Sequence, residues 1–417
     1  MSVRLLRRAS TSFGTFDVLI ITALIWFLGK FIRYVFPPLF ESLQGTYTVS
    51  TTVLGWTFSA FLVAYAIVQF PSGILSDAFG TVWVISGGVI LASLTALVLL
   101  FEIPFLLFVI VMVVLGVGTG VHKTCAVQLL TSVYPTHSGR ALGVFDTFGT
   151  FGGVVAPVAV VVAASIPGPL PGWRILLFFT GVLGLLFAFS FITRVPRKLE
   201  QSSSSVSKDR SPLERDSRAS VTWGSYVRLF DDKKFTIFVI SCIFFSFTYN
   251  GIVAFLPLYL IEEAGVSPTS AGILYSILFV ASLAQIGSGE LSDRAGTLPV
   301  ISGALALATL SMTAFILLTD SGLWLLAVSV LTIGLGAHSF RPVRGAYLMQ
   351  TLPNQVSAGG FGIVRTLLMG AGAISPGVVG TVSDIATFRT AFWLLALSVS
   401  LSTILSLYLL YTDTREY

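Results

Sequence analysis

Twelve apolar runs constrain this chain more than any other feature, falling near residues 16–40, 52–76, 82–101, 104–132, 140–165, 173–193, 235–261, 267–292, 299–319, 322–350, 358–381 and 390–412. A hydrocarbon core about 30 Å thick is crossed by about 20 helical residues. No water is present there to satisfy a peptide group, so each run must bond its own N–H and C=O groups as a helix. The composition agrees: 55% of residues are hydrophobic and 10% charged, too much apolar surface for a water-soluble globule. The expected fold class is an all-α polytopic membrane protein.

Charge gives the expected orientation. Arg4, Arg7 and Arg8 precede the first run, and residues 194–234 hold ten Lys and Arg. By the positive-inside rule both segments belong on the cytoplasmic side, and an even number of spans puts the C-terminus there too. The connecting stretches 41–51 and 165–172 contain no Lys or Arg, as outer loops should. The basic N-terminus leads into an apolar stretch too long for a signal-peptide core and is expected to be a retained first span. Basic residues gathered beside membrane spans argue against a nucleic-acid partner despite the formal charge of +5. Cys125 and Cys242 both fall inside apolar runs, where a thiol packs as a small hydrophobe.

The polar stretch at 201–220, QSSSSVSKDRSPLERDSRAS, cannot bury a core and is expected to be a flexible cytoplasmic linker. It separates two halves, 1–193 and 235–417, with 194–234 between them. The halves repeat. Gly73-Ile-Leu-Ser-Asp77-Ala-Phe-Gly80 is echoed at an offset of 216 by Gly289-Glu-Leu-Ser-Asp293-Arg294-Ala-Gly296. Gly116 and Gly118 match Gly334 and Gly336, and Pro135 matches Pro353, at 218; Pro157 matches Pro376 at 219. A slowly drifting offset is what a duplicated six-helix unit with small loop insertions produces, and duplicated halves are a recurrent transporter architecture.

These residues resemble the major facilitator superfamily. The resemblance lies in the two copies of G-x-L-S-D-x-x-G at the ends of runs 2 and 8, the glycine-rich fourth run, Pro157 in the fifth, and Gly172-Trp173-Arg174 opening the sixth. It covers the whole chain and implies twelve transmembrane helices in two pseudo-symmetric six-helix bundles. It also implies a conformational role for Gly73, Asp77, Gly80, Gly289, Asp293, Arg294 and Gly296, each aspartate lying by the start of a helix in the opposite half. Ala78 and Thr81 stand where the family motif has basic residues, so its ionic network is reduced. The family's antiporter signature appears in run 5 only as Gly149, Gly152, Gly153 and Pro157 in altered spacing.

Ionisable side chains inside a span cost about 2.5–3.5 kcal/mol each on insertion scales and so mark function. They are Lys30 and Arg33 in run 1, His122 and Lys123 in run 4, Asp146 in run 5, Arg341 and Arg344 in run 10 and Arg365 in run 11. Cations outnumber the single carboxylate. Lys123 and Arg341 are related by the repeat at 218, and Asp146 and Arg365 at 219, so all four are expected at similar depth. Arg33, Lys123, Arg341 and Arg365 are the candidate substrate ligands, facing the interior between the halves, because a guanidinium holds a carboxylate or phosphate in two hydrogen bonds. Snorkelling of long stems to the interface is the ordinary alternative, strongest for Arg344 and Lys30. His122 reads first as a packed histidine, and Tyr249-Asn250 as substrate donors or helix contacts.

Asp146 is the candidate gate or coupling residue, pairing across the halves with Arg341 or Arg365; a static bridge to Lys123 is the rival. The expected function is secondary active transport of a small solute, an organic anion, by symport or exchange with a proton or sodium ion and by alternating access. Export of lipophilic compounds, and a non-transporting sensor or scaffold, are the alternatives. No HExxH, nucleotide-binding loop or Asp-rich cluster supports an enzyme. No cofactor or metal is expected, and twelve spans so arranged should work as a monomer.

Overall fold

The computed structural model describes the backbone of residues 2–206, 227–353 and 357–415, and the side chains of 17–195, 227–353 and 360–415. Within these residues the regular structure is entirely helical: α1 Ser2–Val35, α2 Phe40–Tyr47, α3 Thr51–Phe79, α4 Thr81–Val98, α5 Phe105–Val133, α6 Ser138–Ala164 and α7 Gly172–Val206. After residues 207–226 come α8 Lys233–Glu262, α9 Pro268–Val280, α10 Ala284–Ala295, α11 Thr297–Leu317, α12 Leu323–Thr351, α13 Ser357–Ile385 and α14 Phe388–Asp413. Joined across the short turns at Pro37–Leu39 and Ala281–Leu283, they make twelve helices long and apolar enough to cross a membrane. Large apolar side chains left uncovered, such as Ile67, Phe70, Ile286 and Trp324, are the surface a hydrocarbon solvent accepts.

The start of α8 is fixed by Asp232, whose Oδ1 accepts from the amides of Lys234 and Phe235 at 2.8 and 3.3 Å, and α14 begins at Thr387, whose hydroxyl accepts from the Thr390 amide. Each satisfies amides that the first helical turn leaves without carbonyl partners. Helix α7 runs on to Val206, so residues 201–206, expected as flexible linker, are helical. Helix propagation is cooperative, and Arg197 to Gln201 are good helix formers. The remainder of that segment, 207–226, and the side chains of Arg4, Arg7 and Arg8 lie outside the described residues.

The chain divides into two compact units, Met1–Phe36 with Ala60–Asp216, and Pro37–Ser59 with Ser217–Tyr417. In the first, α1 packs on α6 and α7, and α4 on α5 and α7; in the second, α8 packs on α13 and α14, and α11 on α12 and α14. The same neighbours recur at the repeat-related positions. The glycines show why. A Cβ on Gly116 would stand 2.3 Å from the Phe61 carbonyl oxygen, and one on its repeat partner Gly334 would stand 2.7 Å from that of Leu278. Gly118 is pressed against Gly88 and Ala92 of α4, and Gly336 against Ala304 and Ala308 of α11. Small residues let helix backbones approach where lipid supplies no hydrophobic drive for association. Gly80 and Gly296 each take φ +87°, the left-handed region that glycine enters without a steric penalty, and so turn the chain sharply between α3 and α4 and between α10 and α11.

The unit boundary departs from the sequence division in one place. Pro37–Ser59, expected in the N-terminal half, belongs with the second unit. The first nine residues of α3 lie along α13. Cβ positions on Gly55 and Gly380 would fall 2.4 and 2.6 Å from the carbonyl oxygens of Pro376 and Thr51. The Thr52 amide donates to Asp384 Oδ2 at 2.7 Å, Trp56 Nε1 to Thr381 Oγ1 at 3.1 Å, and the Gly377 amide to Ser59 Oγ at 2.8 Å. Hydropathy carries no trace of such glycine-to-backbone contact.

Candidate functional site

In the first unit the intramembrane charges gather around one indole. Trp26, Lys30 and Tyr34 lie four residues apart on α1, the spacing that puts side chains on one helical face. Lys30 Nζ sits 4.9 Å from the Trp26 centroid and 5.6 Å from that of Tyr34. Lys123, from α5, brings its ammonium to 5.0 Å from the same indole and 4.9 Å from the Phe145 ring. The two ammonium groups are therefore separated by no more than twice their common distance to Trp26. The Arg33 guanidinium lies 5.6 Å from Tyr65 of α3 and 5.7 Å from Tyr34. Each such contact is worth roughly 0.5–2 kcal/mol, more where water is excluded. Trp26 is itself held rigid: it stacks on Phe145 at 5.4 Å and His122 at 6.0 Å, and only a glycine at 149 leaves room for its edge.

Lys123 is ion-paired to Asp146 of α6. Its side chain is 16% exposed and that of Asp146 is 60% exposed, so the cation is fixed among rings while the carboxylate faces outward. The pairing present is thus the bridge within the first half that the sequence offered as the rival. His122 donates from Nε2 to the Thr22 carbonyl at 3.0 Å, is 3% exposed, and has no hydrogen-bond partner at Nδ1 among the described residues. It is a packed histidine that ties α5 to α1.

In the second unit Arg341 and Arg344 stand on α12 and Arg365 on α13. Arg341 lies 5.3 Å from the Tyr249 ring of α8, and Arg344 5.7 Å from Phe340. Arg341 and Arg344 are half-buried and Arg365 is exposed. Asn250 donates to the Ser246 carbonyl of its own helix at 2.9 Å. A guanidinium held against an aromatic ring is chemically suited to a carboxylate or phosphate, which it can hold in two hydrogen bonds.

The repeated motif is accounted for locally. Asp77 Oδ1 accepts from Gln128 Nε2 of α5 at 3.0 Å, within its own unit, and Ser76 donates to the same glutamine. Arg294 pairs with Glu290 one turn earlier. Gly73 and Gly289 lie on α3 and α10, and Asp293 is exposed.

Sequence reasoning missed the aromatic platform and two ionic clasps. Trp26 and Tyr34 were legible as i±4 neighbours of Lys30. The clasps join Arg174, at the start of α7, to Glu102 at 3.2 Å, and Arg389, at the start of α14, to Asp320 at 2.9 Å. Their members are related at offsets of 215 and 218, so matching opposite charges between the repeats would have revealed them. Among the described residues no group of three His, Cys, Asp or Glu could hold a metal ion.

The family model described as Major Facilitator Superfamily matches residues 18–331 and 238–417. A hexuronate transporter of Bacillus subtilis is 24% identical over 387 residues, which is 87% of this chain and 87% of that protein. A probable galactarate/D-glucarate transporter of the same organism is 23% identical, covering 82% of this chain and 79% of the relative. Among solved structures, a bacterial homologue of the human lysosomal transporter Spinster superposes with a TM-score of 0.78 at 16% identity, over 95% of this chain and 98% of that one.

Proposed function

The chain belongs to the Major Facilitator Superfamily, and from that premise we propose that it carries a small organic anion of the sugar-acid type by secondary active transport. The observation that carries this reading is the placement of Lys30, Arg33 and Lys123 about the Trp26, Tyr34 and Tyr65 rings. Cations backed by aromatic faces are held in a fixed array, and a preorganised array loses little entropy when it binds a carboxylate. Arg341 and Arg365 serve as further anion ligands, and Asp146 is the gate or coupling carboxylate. Support comes also from relatives named for hexuronate and for galactarate and D-glucarate, all of them carboxylates. Transport proceeds by alternating access of the six-helix halves 1–193 and 235–417. Asp77 and Asp293 act in that change, and both chain ends and the 194–234 linker are cytoplasmic.

The test is thermal stabilisation of the purified protein. A ligand at 100 times its Kd adds about 2.7 kcal/mol to apparent stability. Glucuronate and galactarate should raise the melting temperature and glucose should not, and Arg33→Gln should abolish the shift while leaving the unliganded melting temperature in place. Stabilisation by lipophilic cations with none by sugar acids would remove the anion reading, and an unchanged shift in Arg33→Gln would remove that residue from the site.

A further inference from the structure

Lys123 sits in an unusual setting for a membrane cation. Its side chain is largely enclosed, its ammonium stands beside the stacked Trp26 and Phe145 rings at 5.0 and 4.9 Å from their centroids, and Asp146, the only carboxylate well inside a span among the described residues of the first unit, closes on it. The two members of the pair are unequal. Asp146 is the exposed one, on the residue after Phe145, with its backbone carbonyl engaged by Thr150. An exposed carboxylate regains its hydration when it lets go, whereas a largely enclosed ammonium regains less and so favours another anion in its place.

We propose that Asp146 is a resident carboxylate that occupies Lys123 when no substrate is bound and is exchanged for a carboxylate of the substrate. This rests on the sugar-acid reading and adds to it a specificity rule. Exchange replaces one carboxylate by another at Lys123, so an anionic substrate leaves the enclosed cation neutralised. A neutral sugar brings no carboxylate to take the place of Asp146 at Lys123, so the exchange gives it no gain in binding. Asp146 acts here as a positioning and specificity residue: it lowers affinity for every substrate by competing with it, and it lowers affinity for neutral analogues most. Lys30 lies against the same indole as Lys123, so a second cation stands near the carboxylate that replaces Asp146.

The experiment measures binding of galacturonate and of galactose, which differ in one carboxylate, to purified wild-type protein, Asp146→Asn, Asp146→Ser, Lys123→Gln and the Asp146→Asn/Lys123→Gln pair. Unliganded melting temperature reports whether each variant is folded, with Asp146→Ser standing in should Asp146→Asn fail. With the competitor removed, galacturonate should bind about two- to fivefold tighter to Asp146→Asn, the worth of a partly exposed ion pair. Asp146→Glu, which keeps a competing carboxylate, should restore wild-type affinity. Lys123→Gln should bind weakly, and adding Asp146→Asn to it should change nothing further, since Asp146 acts only through Lys123. If wild type binds galacturonate and a folded Asp146→Asn binds it equally or more weakly, exchange is wrong while the anion reading stands. If neither wild type nor any folded variant binds galacturonate, the anion reading fails and takes the exchange with it.

Discussion

Adding a single methyl group at the repeated glycines tests the packing on which the paired architecture depends. On Gly118 a Cβ would stand 2.8 Å from the Ala92 nitrogen and 2.9 Å from the Gly88 carbonyl oxygen. On Gly336 it would stand 2.7 Å from both the Ala304 oxygen and the Ala308 nitrogen. Ordinary contact begins at 3.4 Å, so α5 must move from α4, and α12 from α11, by roughly 0.5–1 Å, which forfeits a good part of the dispersion energy along the seam. Overpacking of this kind costs about 1–3 kcal/mol. Alanine returns about 1 kcal/mol through its helix propensity, leaving a net loss of about 0–2 kcal/mol. Gly87 and Gly303 provide the control. They are repeat partners at 216, lie on the same helices α4 and α11, and would meet nothing within 4 Å, so alanine there brings only the propensity gain. For units of this size 1 kcal/mol is about 2–4 °C, and the propensity gain is common to all four, so Gly118→Ala and Gly336→Ala should melt about 2–12 °C below Gly87→Ala and Gly303→Ala. Thermal melting of purified protein in detergent reads this directly. Equal melting temperatures across the four variants would refute close glycine packing, and a loss at Gly118 with none at Gly336 would refute its equivalence in the two units.

Three further outcomes are expected. Glu102→Gln should lower stability by about 1 kcal/mol, the carboxylate being exposed but its partner Arg174 buried; Asp320→Asn should matter less because Arg389 is 41% exposed, and the order of the two melting temperatures checks this. Asp384→Ala removes the acceptor of the Thr52 amide and with it about 0.5–2 kcal/mol of end-capping, so hydrogen exchange in a peptide covering 51–59 should quicken about two- to thirtyfold, with peptides from α4 unchanged. Trp26→Leu should weaken galacturonate binding more than Phe145→Leu, since Trp26 touches both Lys30 and Lys123 while Phe145 touches only Lys123; equal losses would mean that the indole is not the shared platform.

Lys30, Arg33, Lys123, Asp146, Arg341 and Arg365 could be picked out because an ionisable group among apolar residues is conspicuous whatever surrounds it. Which partner each meets could not be decided. Lys123 pairs with Asp146 across 23 residues, and Arg33 rests on Tyr65 across 32, and which of several cations a carboxylate meets depends on how each helix is rotated about its axis. The glycines of the repeat were legible as small residues for close packing, but the facing carbonyls of Phe61 and Leu278 have no signature, since every residue carries one.

What the sequence determined by itself is therefore the part of the structure that the bilayer enforces locally. Each span must satisfy its backbone within its own residues, so twelve apolar runs become twelve helices, and a duplicated pattern becomes duplicated neighbours. Tertiary structure decided what depends on contacts between segments far apart in sequence. It put the first turns of α3 against α13, carried α7 as a helix into the expected linker, drew two lysines to one indole, and gave Lys123 to Asp146. The physical reason is that hydropathy is a property of each residue, whereas close packing and charge pairing are properties of pairs, fixed only when helices are set at a given distance and rotation.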